Sequence, residues 1–236
     1  MRSTLRCASL VCLFLSVASA AYALPCPPGN PPTNCAPPTG AILDLNGTAI
    51  PHTYTAYSVA FTATNASTNI SFAFREDPAF LLLDNVSVHL TSGGPNLLLN
   101  GDFELGPVGA SQPTNWTFLN SFGATFAGVV DAGSGIGGSN SYFDGAVQAY
   151  DGITQAVATT PGASYTIDFS LTDDGSLTTF SRLSTNGNVS NTGGNGVDLL
   201  VYAGAVPTLA VPEPASLVLL GLGLAAISLM RCHKAS

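Results

Sequence analysis

The chain has 236 residues, a formal net charge of −8, 8% charged residues, 25 glycines and 16 prolines, which suits one all-β domain with extra segments better than several domains. All 14 acids lie between Asp44 and Glu213, and that span holds two cations, Arg75 and Arg182, and no lysine, a net −12. Such a surface repels phosphate backbones, which excludes nucleic acid as a partner and favours divalent cations or neutral glycans.

Residues 1–23 read as a signal peptide: Arg2 and Arg6 make the basic start, an apolar stretch runs over 10–17, and small-residue cleavage patterns follow at "ASA" and "AYA". Residues 24–40 form a Pro-rich linker with no apolar face to bury. It carries Cys26 and Cys35, which can close a small loop in an oxidising compartment; such a disulfide would staple the linker and not the core. Two further ligands for a zinc ion are missing from this stretch.

The sandwich domain is expected over 41–205, built from strands with period two. Tyr57, Val59 and Phe61 alternate with small or polar residues, and Ile70, Phe72 and Phe74 do the same. In "AFLLLDNVSVHL" the residues Phe80, Leu82, Val86, Val88 and Leu90 share one face, and Asp84 falls in that apolar row. The run "NLLLNGDFEL" places Leu97, Leu99, Phe103 and Leu105 on one face, with a bulge at Gly101. "SYTIDFSLTDD" sends Tyr165, Ile167, Phe169 and Leu171 inward, and "GVDLLVYAG" closes the domain near Gly204. "GGNGVDLLV" matches one copy of a calcium-binding nonapeptide repeat, but one copy cannot stack, so it reads as a turn entering the last strand. No helical period appears over 41–210, and the expected fold is a jelly-roll β-sandwich.

Two stretches resemble the ends of the sugar-binding jelly-roll sandwiches, or galactose-binding-like domains. A segment similar to "NLLLNGDFE" followed by a tryptophan such as Trp116 opens such domains, and one similar to "FAFREDPAFLLLDNVSV" ends them. Here the order is reversed, which implies either one circularly permuted domain or a truncated first domain followed by a second. One permuted domain is the expectation, because such ends lie close together and the first piece alone is too short for a sandwich of ~100 residues.

The material for catalysis is thin. Between the linker and residue 214 the only histidines are His52 and His89, with no thiol and no lysine. Nucleophile–base pairs and metal-hydrolase sites therefore lack parts, and Asp173-Asp174 reads as a turn rather than a glycosidase pair. The expectation is a non-enzymatic protein. The resemblance implies a structural Ca2+ held by Asp84, Asp102 and Glu104; an acid in an apolar row needs a cation or strong donors, although solvated strand-end acids fit the pattern as well. A glycan site needs aromatic faces beside polar partners, and Trp116, Tyr142, Tyr150 and Tyr202 with Asn140, Asp144, Gln148 and Asp151 are candidates, concentrated in "GGSNSYFDGAVQAYDG". Against this, a lone tryptophan is more often core packing.

Residues 206–214 form a linker ending in Val211, Pro212, Glu213 and Pro214. The apolar run 215–230 would span about 24 Å as a helix against a hydrocarbon core of about 30 Å, a marginal transmembrane helix. Arg231 and Lys234, in the basic tip 231–236, would keep that end cytoplasmic. Prolines on both sides of Glu213 hold the backbone extended and open to a protease. The stretch closely resembles the PEP-CTERM sorting signal of Gram-negative bacteria. The resemblance implies recognition by exosortase at the inner membrane, removal of the helix, and release to the cell surface or extracellular matrix, where such proteins accompany exopolysaccharide and biofilm formation. A permanent tail anchor is the alternative. Tails of this kind are also catalogued as ice-binding protein C-terminal domains, but the chain has no regular Thr-X-Thr ladder.

Overall fold

The computed structural model describes residues 39–204, apart from 47, 78–79, 121–123, 125–127, 148, 175–179 and 182–194. The expected signal peptide, Pro-rich linker, Cys26–Cys35 pair, sorting motif, apolar run and basic tip lie outside the described residues, as does Gln148. Among the described residues no helix is long and apolar enough to cross a membrane.

Among the described residues there are eleven strands: β1 (Leu43–Asp44), β2 (Thr55–Thr62), β3 (Ser67–Asp77), β4 (Leu81–Leu90), β5 (Thr117–Leu119), β6 (Val129–Ala132), β7 (Asn140–Asp144), β8 (Asp151–Ala158), β9 (Ser164–Asp173), β10 (Phe180–Ser181) and β11 (Asn195–Gly204). One sheet has the order β1-β11-β3-β8-β5, with β10 beside β11, and the other β2-β9-β4-β7-β6. All pairings are antiparallel except β10 with β11. Most sequence neighbours fall in different sheets, so the chain crosses repeatedly between two layers and binds them through one interior.

The alternation read from the sequence is what fills that interior. Ile70, Phe72 and Phe74 of β3 and Ile167, Phe169 and Leu171 of β9 are buried, while Tyr57, Val59 and Phe61 pack on them half-buried at the edge. Tyr57 stacks on Phe169 at 5.3 Å, and Phe72 meets the same ring edge-on from the opposite sheet, also at 5.3 Å. These are the two favoured aromatic geometries, and they tie the layers together.

Two expectations fail for backbone reasons. In β4 the register with β9 slips between Asp84 and Ser87, and Asn85 takes a left-handed φ of 51°. This bulge flips the alternation, so the interior row is Leu81, Leu83, Val86 and Val88, with Phe80 and Leu90 partly exposed and Asp84 outside the apolar row. The run "NLLLNGDFEL" is not a strand: Asn100 and Phe103 have φ of 53° and 55°, which no extended strand accommodates. Phe103 is buried as expected, but Leu99 is 61% and Leu105 55% exposed.

The same segment nonetheless lies along β4. Val86 N donates to Gly101 O at 2.8 Å, Leu97 N to Val88 O at 2.8 Å, and Val88 N to the Asn96 side chain at 2.9 Å. Gly101 is required by this approach, since a Cβ there would stand 1.9 Å from Val86 O.

Candidate functional site

The stretch expected to be an open aromatic loop is folded inward. "GGSNSYFDGAVQAYDG" contains β7, which pairs with both β4 and β6, so Tyr142 takes interior parity. Tyr142 and Tyr150 are both fully buried. The Tyr150 hydroxyl donates to Asp198 at 2.5 Å, and burial pushes its phenol up. Trp116 is 2% exposed, stacks on Phe103 at 5.8 Å and donates Nε1–H to Asn100 O at 3.0 Å. Asp144, Asn140, Asp151 and Tyr202 are buried too. None of these rings offers a face to solvent.

Two of the three acids named for calcium, Asp84 and Glu104, hold one glycine-rich loop. Asp84 accepts from Asn85 N at 2.6 Å and Ile136 N at 2.7 Å, and Glu104 accepts from Ser139 N at 2.6 Å and Asn140 N at 2.7 Å. Gly138 permits this, because a Cβ would lie 2.1 Å from Glu104 Oε1. The two carboxylates thus fasten the β6–β7 connection with strong charge-assisted bonds. Burial pushes the Asp84 carboxyl up to about 6, opposed by its two backbone donors, with Asp102 and Glu104 adding like charge. Asp102 is exposed. Among the described residues no group of three or more acids, histidines or cysteines is placed to hold a metal ion.

A cleft of about 440 Å³ opens on the outer face of the β2–β6 sheet, lined by residues from five distant segments. Its floor follows the register: Leu82 of β4 pairs across to Phe143 of β7 on one side and Thr172 of β9 on the other. Phe143 stacks on Phe80 with ring centroids 4.6 Å apart and planes 17° from parallel. At one wall His52 Nδ1 meets Asp173 Oδ1 at 2.5 Å, with the imidazole side chain 57% exposed. At the other, Tyr54 donates to Ser134 O at 2.8 Å, and the Ser134 hydroxyl donates to Asp131 at 2.5 Å. Burial raises the Tyr54 phenol to about 12, so it remains a donor throughout the physiological range. An aromatic platform flanked by carboxylates, a phenol and an imidazole can stack on an apolar ring face and hydrogen-bond hydroxyls. Sequence reasoning missed this cleft by giving Leu82 core parity; the signal available was that Phe143 alternates with Tyr142.

Beyond the sandwich, the decisive feature is local: Val211-Pro212-Glu213-Pro214, an apolar run and a basic tip. Residues 210–232 match the PEP-CTERM protein-sorting motif. No curated protein and no solved structure matches the chain. The PEP-CTERM motif makes this an exported protein sorted through exosortase, and it leaves open what the domain upstream of the motif does.

Proposed function

We propose that this is a non-enzymatic protein of the Gram-negative cell surface or extracellular matrix that associates with exopolysaccharide, and so with the biofilm, by binding glycan through its sandwich. The sandwich is read as a jelly roll in permuted order, supported by the way residues 96–101 lie against β4, which puts the opening and closing segments side by side. The observation carrying the binding reading is the Phe143 ring, backed by Phe80, in a cleft with Asp131, Asp173, His52 and Tyr54. The non-enzymatic reading is supported by how these groups are engaged: the Ser134 hydroxyl donates to Asp131 and His52 faces Asp173, so in this cleft the imidazole is engaged by a carboxylate and not by the serine hydroxyl. After export the apolar tail would hold the chain at the inner membrane only until exosortase reads the motif.

A second reading, a structural matrix protein with no specific ligand, is favoured by the burial of Trp116, Tyr142 and Tyr150. Affinity electrophoresis in the producer's own exopolysaccharide separates the two. The exported chain is expected to be retarded, and Phe143→Ala to weaken the association by about tenfold or more, as a central aromatic contact does. Migration unaffected by the polysaccharide, or retardation untouched by Phe143→Ala, supports the structural reading.

A further inference from the structure

Three acidic side chains meet in the interior at one end of the sandwich. Asp144 ends β7, Asp151 begins β8, and Glu76 lies near the end of β3. Parity turns each inward: Asp144 follows Tyr142 by two residues, Glu76 follows Phe74 by two, and Asp151 stands opposite Phe74 in register. Glu76 and Asp144 have no exposed surface and Asp151 is 2% exposed.

The backbone supplies only part of what these groups need. Ala146 N donates to Asp144 Oδ1 at 2.9 Å and Gly128 N to Asp151 Oδ2 at 3.1 Å. Gly128 has to be glycine, since a Cβ would come within 2.3 Å of Asp144 Oδ2. Among the described residues no N–H or hydroxyl donor reaches Asp144 Oδ2 or Asp151 Oδ1. Gly128, whose N–H reaches Asp151 Oδ2, also borders Asp144 Oδ2, so the two aspartate carboxyls face each other across it, with Glu76 beside Asp144. Two carboxyls that face each other in a dry interior hydrogen-bond to one another only if one of them carries a proton.

The Tyr142 phenol faces these acids from β7. Asp173 of β9 lies across Leu81 from Asp144 and is engaged by His52. Alternation sends Arg75 to the opposite face of its sheet, in register with Asp198, which in turn accepts from Tyr150.

We propose that Asp144 and Asp151 share a proton as a buried pair beside Glu76, a pH-sensitive device that tightens this end of the sandwich in acid and loosens it as the surroundings become neutral. Burial is the leading cause for both aspartates, pushing Asp144 up to about 6 and Asp151 well above the ordinary carboxyl range. The folded chain therefore holds protons that the unfolded chain releases near pH 4, and stability falls as pH rises through the raised values.

Thermal unfolding of the full chain tests this. Between about pH 4.5 and about pH 7.5 the midpoint is expected to fall by roughly 5–10 °C. Asp144→Asn and Asp151→Asn, which keep shape while removing an ionisation, should each flatten that fall, with Asp84 supplying part of what remains. The infrared band of a protonated carboxyl should be present in the folded wild type at neutral pH and lost in Asp151→Asn. Unchanged slopes in both variants overturn the proposal. So does a wild type without the band, a result that stands even if the variants do not fold. Calcium that restores the acid midpoint at neutral pH, reversed by chelator, overturns it as well by assigning the carboxylates to a cation.

Discussion

Trp116→Ala is expected to lower the unfolding free energy by about 3–5 kcal/mol, the range for deleting a large buried aromatic. The ring lies against Phe103 at 5.8 Å and Phe72 at 6.3 Å, so its removal opens a cavity where both sheets and the 96–104 segment meet. The collapse available to that site is small, because Phe72 is itself held edge-on by Phe169. Loss of the indole N–H also leaves Asn100 O with only the long bond from Phe103 N, at 3.4 Å. Urea denaturation of the purified chain measures the effect as a lower midpoint with unchanged slope. A loss below about 1 kcal/mol accompanied by weaker glycan retardation would mean that the ring serves a ligand instead.

Asn100→Ala is the second large effect, expected at about 3–4 kcal/mol. The Asn100 side chain accepts from Leu105 N at 2.8 Å and donates to Leu105 O at 3.2 Å and Thr114 O at 2.9 Å. Each bond contributes about 1 kcal/mol net, and alanine is strained by about 1 kcal/mol more at a left-handed backbone that asparagine tolerates. Because Asn100 O also accepts from Trp116, the double variant should lose less than the sum of the singles, a coupling of at least about 0.5 kcal/mol in a double-mutant cycle. Simple additivity would separate the two residues into independent units.

These two positions also show where sequence reading succeeds and fails. Period-two alternation in β2, β3 and β9 follows the interior between the sheets, and the side chains expected inward there pack into it. The same logic misassigned β4, because one residue in a left-handed conformation inverts everything on one side of it. The Asp84-Asn85 step inside an apolar run was the available warning, since asparagine tolerates that conformation. "NLLLNGDFEL" satisfied the apolar pattern of a strand, yet its Asn-Gly-Asp centre is turn chemistry, and contact with β4 decides its path. Gly101 was singled out for a special backbone; what it provides is closeness to Val86 O rather than a bulge of its own strand.

The sorting motif was legible because it is continuous: four residues, an apolar run and a charged tip carry the signal without any tertiary contact. The cleft was not legible, because His52, Leu82, Asp131, Phe143 and Asp173 are adjacent only through the strand order β2-β9-β4-β7-β6. The buried acids were visible individually, and Asp144 and Asp151 were read as polar partners in an open loop. Their interior parity follows from the pairing of β7 with β4 and of β8 with β3, which the sequence does not state.

The central claim is that the chain is exported and processed through its C-terminal signal, and mass spectrometry of the mature C-terminus tests it most directly. A terminal peptide ending near Pro214 is the expected result; a mature protein that still carries Met230 would contradict it and establish the tail as a permanent anchor.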